Sequence, residues 1–191
     1  MFEKYEKILG SGLKIVNLTD ISIILKCKPN SARVIAMRLL KKGVLIRLRR
    51  DLYLLKNSTV SDFEIGNKLL EPSYISFESA LNFWEMTTQL PEIITSAARR
   101  SKKLIVRDNE YTYSHLSKKL FSFGIVRKNN FFIACPEKSI LDLIYYASLG
   151  KRSMTFDDLD TSKLDKKKFL SYLKEYPKTM KKTCKEIIPW I

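Results

Sequence analysis

The sequence predicts an α+β protein in two parts. A small N-terminal helix-turn-helix carrying a basic two-stranded wing occupies residues 1–56, and a mixed α+β domain occupies residues 57–191. Three observations predict it. Apolar residues recur at helical spacing up to Gly43 and then switch to a two-residue period. Short β-like runs alternate with helical ones through the remainder. The positive charge is unevenly divided, with 13 Lys/Arg against 4 Asp/Glu in residues 1–56 and 22 against 16 in residues 57–191.

In the first part, Phe2, Tyr5, Ile8 and Leu9 give an amphipathic helix ending near Gly10-Ser11-Gly12. Thr19 is read as the N-cap of a second helix whose stripe is Ile21, Ile24 and Leu25, and Lys28-Pro29-Asn30-Ser31 as the break that follows. Asn30 or Ser31 then caps a third helix, Ala32 to Lys42. Its inner side carries Ala32, Ile35, Ala36, Leu39 and Leu40, its outer side Arg33, Val34, Met37, Arg38 and Lys41. From Leu45 to Leu55, Leu45, Arg47 and Arg49 alternate with Ile46 and Leu48, and Arg50-Asp51 is short and polar enough to turn. The arginines then line the exposed side of a hairpin, while Tyr53 reads as packing.

In the second part, Lys56 to Val60 is a polar connection, and Ser61-Asp62-Phe63-Glu64 is a capping box opening a helix to about Leu70. Glu71-Pro72 ends that helix, Tyr74-Ile75 is extended, and Ser76 caps a helix through Ala80, Leu81 and Phe83 to Trp84, with Phe83 and Trp84 read as core. β-like runs follow around Ile93 to Ala97, Lys103 to Val106, Tyr111 to Tyr113 and Asn130 to Cys135. Pro136 suits the first turn of a helix so rich in apolar residues, from Ile140 to Ala147, that it belongs at the centre of a core. A helix over about Asp165 to Glu175, Pro177, and a short last helix to Ile188 complete the chain.

At 191 residues, 45% of them apolar, the chain can bury a sizeable core. Its net charge of +15 and pI near 9.7 call for a polyanionic partner, a nucleic acid or an anionic membrane surface. A generally basic proteome gives such a value too, and the concentration of charge in residues 1–56 is what favours nucleic acid. Cys27, Cys135 and Cys184 are odd in number and widely spaced, as buried thiols of a reducing compartment are. No apolar run approaches the roughly 20 residues needed to cross a bilayer, and Glu3 and Glu6 interrupt any signal-peptide core, so a cytoplasmic protein is expected.

A helix fits the major groove of B-DNA, where arginine bridges two acceptors of guanine and methyl-bearing side chains touch thymine. Arg33, Met37, Arg38 and Lys41 are the candidate readers, with Asn30 and Ser31 at the N-terminal end, and Arg47, Arg49 and Arg50 the candidate grips on phosphate. The competing reading is a protein-binding winged helix whose charge merely solvates its surface.

Catalytic signals are weak by comparison. His115 is the only histidine and has no Cys, Asp or Glu at triad or ligand spacing, and GxGxxG, P-loop and HExxH motifs are absent. Asp157, Asp158 and Asp160 cluster without converging partners, Glu78 reads as the reciprocal member of a helix cap, and Lys166-Lys167-Lys168 and Lys181-Lys182 as solvated faces. The expectation is a non-enzyme with no metal and no cofactor.

Pro72-Ser73-Tyr74-Ile75-Ser76-Phe77-Glu78-Ser79-Ala80-Leu81, Ile94-Thr95-Ser96-Ala97, Tyr111-Thr112-Tyr113 and Ala134-Cys135-Pro136-Glu137-Lys138-Ser139-Ile140-Leu141-Asp142-Leu143, with the Arg47-Leu48-Arg49-Arg50-Asp51-Leu52-Tyr53 wing, resemble the AbiEi family of antitoxin-regulators. The resemblance covers nearly the whole chain. It implies an N-terminal winged helix-turn-helix that represses its own promoter. It also implies a C-terminal domain that counters a nucleotidyltransferase-like toxin in a type IV arrangement, without a stable toxin complex. Ser76, Glu78, Ser79, Glu137, Lys138 and Asp142 are the antitoxin-domain motif residues it singles out, capping and packing being the competing explanation for them. Asp51 departs from the family, where glycine is common at the wing tip. The partners expected are therefore double-stranded promoter DNA, on which a homodimer fits, and a toxin, with no membrane. Two alternatives stay open: a stand-alone regulator whose second domain dimerises or senses a ligand, and a nucleic-acid-processing enzyme targeted by its winged helix.

Overall fold

A computed structural model describes residues 2–152 and 158–188. It is a mixed α+β protein. Its chain divides into two compact units, Met1–Leu69 and Leu70–Ile191. The division lies beyond the 56/57 boundary expected from composition, because the capping-box helix groups with the first unit.

The first unit runs α1 (Phe2–Gly10), β1 (Ile15–Asn17), α2 (Leu18–Ile24), α3 (Pro29–Lys41), β2 (Leu45–Arg49), β3 (Leu52–Leu55) and α4 (Asp62–Leu69). Strand β1 went unanticipated, and it gives α2 its cap. The Asn17 side chain accepts from the Asp20 amide at 2.9 Å and Asp20 Oδ2 accepts from the Asn17 amide at 2.8 Å, a reciprocal box in place of the expected Thr19 cap. Pro29, expected in the break, is the first residue of α3 with Lys28 as N-cap, and neither Asn30 nor Ser31 caps it. A proline there gives up an amide that would have had no intrahelical partner. Ser61 does cap α4, its Oγ accepting from the Glu64 amide at 3.3 Å.

Among the described residues these strands form an antiparallel sheet in the order β1-β3-β2. Its central strand β3 is buried along its whole length. Ile8, Val16, Ile21, Ala32, Ile35, Ala36, Leu39, Leu45, Tyr53 and Leu55 make one core, so Tyr53 packs as expected. The pairing slips between Arg47 and Arg49, a bulge that leaves Leu48 without a cross-strand partner. Strict alternation therefore fails along β2: Leu45 and Leu48 are buried and Arg47 and Arg49 exposed.

The second unit runs β4 (Ser73–Ile75), α5 (Phe77–Phe83), β5 (Ile93–Ala98), β6 (Lys102–Val106), β7 (Asn109–His115), α6 (Lys118–Phe121), β8 (Ile125–Lys128), β9 (Phe131–Ala134), α7 (Pro136–Ser148), a 3-10 turn (Thr161–Lys163), α8 (Lys166–Leu173) and α9 (Met180–Ile187). Its sheet has the order β6-β7-β5-β4-β9-β8, mixed because β4 pairs with β9 and β5 with β7 in parallel while the other pairs are antiparallel. Helix α7 packs against α5, α8, α9 and β9, and Ile140, Leu141, Leu143 and Ile144 are fully buried in the core. The central helix is where the apolar density of the sequence put it.

Candidate functional site

Helix α3 sorts its side chains by period. Every fourth or third residue from Ala32 to Leu39 faces the core, and Asn30, Ser31, Arg33, Val34, Met37, Arg38 and Lys41 are left exposed. Met37 is 49% exposed and Val34 47%, so the outer face of α3 presents apolar as well as basic side chains. Arg47, Arg49 and Arg50 stand exposed on the hairpin. All nine residues expected to meet DNA are thus solvent-facing, six on the helix and three on the hairpin. The local charge is strongly one-sided: between Asp20 and Asp62 the chain carries ten Lys/Arg and a single acidic residue, Asp51.

That residue has a specific place. Asp51 turns the hairpin with φ 59°, in the left-handed region where glycine is favoured and aspartate is tolerated. Its carboxylate lies 3.8 Å from Arg33 Nη2 and 3.7 Å from Arg50 Nε, so the hairpin tip is electrostatically tied to the exposed face of α3. Arg49 Nη1 donates to the Arg50 carbonyl at 3.2 Å, which orients a second arginine within the same turn.

The motif residues of the second unit divide into two groups. Ser76, Lys138 and Asp142 are fully buried and meet each other. Tyr74 Oη and Ser76 Oγ donate to Asp142 Oδ2 at 3.0 and 2.8 Å, and Tyr176 Oη and Lys138 Nζ donate to Oδ1, the tyrosine at 2.6 Å. Lys138 Nζ also donates to Tyr176 Oη at 2.8 Å and lies 5.0 Å from the centre of the Phe123 ring. Burial pulls the Lys138 ammonium down, opposed by the Asp142 carboxylate, and the net shift is downward. Burial first and the same carboxylate second hold the phenols of Tyr74 and Tyr176 well above their ordinary range. Gly124, at φ 68°, comes so close that a Cβ there would lie 2.8 Å from Lys138 Cβ. Ser76 stands at the N-cap of α5 but gives its hydroxyl to Asp142 and not to the helix.

This centre joins β4, α7 and the segment after α8. A carboxylate satisfied by four donors and an ammonium held against three rings make a structural clasp. Ser79 serves a similar end: its Oγ accepts from the Thr95 amide at 2.8 Å, and Thr95 Oγ1 accepts from the Ser79 amide at 3.1 Å, lacing α5 to β5.

Glu137, which is buried, and Glu78 each pair with a cation. Glu137 Oε1 accepts from the Asp165 amide at 3.1 Å, and Lys168 Nζ lies 2.8 Å from its Oε2, fixing the start of α8 on the start of α7. Burial pushes the Glu137 carboxyl up, but the Lys168 ammonium and backbone amides outweigh it and the net shift is down. Glu78 does not close a cap as expected. Arg152 Nη1 hydrogen-bonds it, while Nη2 donates to Ser114 Oγ at 3.1 Å and the guanidinium lies 4.2 Å from the centre of the Phe77 ring. Arg152 was not singled out in the sequence, because its partner is 74 positions away. Glu78 and Arg152 border an open cleft of about 290 Å³ with Pro91, Glu92, Ile93 and Thr95, where the carboxylate is already neutralised.

Residues weighed for chemistry find other employment. His115 is exposed, and its backbone is tied, the carbonyl accepting from Tyr146 Oη at 2.6 Å and the amide donating to Ser101 Oγ at 3.2 Å. Asp160 accepts from the Ser162 amide at 3.0 Å and starts the 3-10 turn, and Asp158 accepts from Gln89 Nε2 at 3.1 Å. Asp157 lies outside the described residues. Among the described residues, no group of three or more His, Cys, Asp or Glu is placed to hold a metal, and no helix is long and apolar enough to cross a membrane. Trp84 is packed with Nε1 donating to the Ala134 carbonyl at 2.7 Å, whereas Phe83 stays 38% exposed. Compared with models of known families and with curated proteins, the chain matches none.

Proposed function

We propose that this chain is a non-enzymatic, DNA-binding transcriptional regulator whose first unit is a winged helix-turn-helix, with α3 as the reading helix and the β2–β3 hairpin as the wing. One observation carries the reading: α3 and the adjoining hairpin expose Arg33, Arg38, Lys41, Arg47, Arg49 and Arg50, in a stretch with one carboxylate. Such a surface is costly unless a polyanion neutralises it. Arg33 and Met37 face the bases, Arg38 and Lys41 line the same helix, and the wing arginines hold the backbone.

The second unit is proposed to be an antitoxin domain of the AbiEi type, acting against a nucleotidyltransferase-like toxin without forming a stable complex. The support is the resemblance in the segments around Tyr74 to Leu81 and Pro136 to Leu143. The burial of Ser76, Lys138 and Asp142 favours a second reading, in which these segments build the domain and the protein is a stand-alone regulator.

Two variants test the first reading. Arg33→Ala relaxes sequence preference by about 1–3 kcal/mol at one base pair, while Arg47→Ala weakens binding to all duplexes alike and flattens the salt dependence. Equal losses from both on selected and unrelated DNA would refute the division of labour. For the second unit, co-expression of the full chain with the product of an adjacent gene is the measurement. Rescue from a toxic neighbour supports the antitoxin reading, and absence of rescue supports the stand-alone regulator.

A further inference from the structure

We infer that Asp51 is a specificity-determining residue, which positions Arg33 for guanine and keeps it from phosphate. This inference rests on the reading of α3 as a DNA-reading helix. Its ground is the placement of the lone carboxylate of the basic stretch. Asp51 sits at the hairpin tip in a left-handed conformation, its side chain 38% exposed and its Oδ2 shared between Arg33 Nη2 at 3.8 Å and Arg50 Nε at 3.7 Å.

The chemistry follows from the guanidinium. Arginine presents five N–H donors in one plane, and recognition of guanine uses two of them, on O6 and N7. A carboxylate 3.8 Å from one corner attracts that corner by charge without occupying its donors, so it leaves a free edge for that pair and biases the rotation of a long side chain. Less freedom is then lost when the base contact forms. The same carboxylate offsets part of the charge on Arg33, so Arg33 has less to gain from the nearest phosphate, which carries no sequence information. Asp51 thus strengthens one base contact and weakens its sequence-blind competitor.

The test uses the full-length protein and a pool of double-stranded oligonucleotides randomised at its central positions, followed by anisotropy titrations on the selected and on a scrambled duplex. Asp51→Asn and Asp51→Gly both accept a left-handed backbone, so the hairpin is retained while the carboxylate is lost. The wild type is expected to select a guanine at the position where Arg33→Ala loses its preference. Both Asp51 variants are expected to lose up to about 5-fold of the same discrimination, the most that one exposed ion pair supplies. They should also bind the scrambled duplex more tightly, with a salt slope steeper by about one phosphate contact. If Arg33→Ala loses the guanine and the Asp51 variants keep it, the positioning role is overturned and the reading helix stands. If they tighten all duplexes equally with the base preference intact, Asp51 acts through charge alone and the inference is equally overturned. A wild-type chain that binds no duplex at low salt overturns the DNA-binding reading together with it.

Discussion

Removing the three hairpin arginines together gives the most direct measure of how the first unit would hold DNA. Besides Arg33, the exposed cations of α3 and the hairpin are Arg38, Lys41, Arg47, Arg49 and Arg50. Five phosphate contacts give a slope of log K against log salt of about −4.5, so raising salt from about 50 to 200 mM lowers affinity about 500-fold. The triple variant Arg47→Ala, Arg49→Ala, Arg50→Ala keeps two contacts, a slope of about −1.8, and a loss of only about 12-fold over the same range. All three side chains are exposed, and removing them costs little stability, within about 0.5 kcal/mol each. Fluorescence anisotropy on a labelled duplex of unrelated sequence, repeated across that salt range, reads both slopes, and urea melts verify that the variant is folded. A folded triple variant with the wild-type slope would refute the wing as the backbone grip.

Three further outcomes concern the second unit. Lys138→Met should destabilise it by about 3–5 kcal/mol in urea, since the buried Asp142 carboxylate loses the cation beside it. Pairing it with Asp142→Leu should recover part of that loss, and a single-variant cost under about 1 kcal/mol would contradict the clasp. Gly124→Ala combines a left-handed backbone with a Cβ only 2.8 Å from Lys138 Cβ, and should cost about 1–3 kcal/mol by the same melts; an unchanged midpoint would mean the two chains are not in contact. Burial pushes the Cys184 thiol up to about 12. Because the folded value is raised, its contribution is complete below the unfolded value of about 8.5 and is lost as pH climbs through the folded value, amounting to about 4–5 kcal/mol in all. Melts at pH 8 and about pH 10.5 should show a smaller alkaline loss in Cys184→Ala than in the wild type, and equal losses would assign the effect elsewhere.

The sequence was legible where periodicity is long. The thirteen residues of α3 carry enough turns for its two sides to separate by spacing alone, and the apolar density of α7 places it centrally. Short elements escaped. Strand β1 has three residues, β8 and α6 four each, and in none does the period repeat more than twice. Some signals were present and misread: Asn17 and Asp20 have the spacing of a capping box, and Pro29 marks a helix start as well as it marks a break. The clasp could be half seen. Lys138 and Asp142 are one helical turn apart, a pair that usually sits on a surface, but Tyr74 and Tyr176 lie 68 and 34 positions from Asp142. Only tertiary packing brings them together, and only packing turns the pair inward. For the same reason the partnership of Glu78 with Arg152 had no local trace.

Strand β3 has one more implication, for the energetics of an encounter. It is hydrogen-bonded on one edge to β1 and on the other to β2, and its four residues are all buried. The hairpin therefore grows from a root whose amides are shielded twice over, and its freedom is confined to the turn at Arg50 and Asp51 and the bulge at Leu48. A projection anchored in this way has little conformational entropy left to surrender when it meets a partner, so its grip is set by charge and fit and not by the cost of ordering a loop. In hydrogen exchange the root amides of β3 should be among the slowest of the first unit, with fast exchange beginning abruptly at the tip.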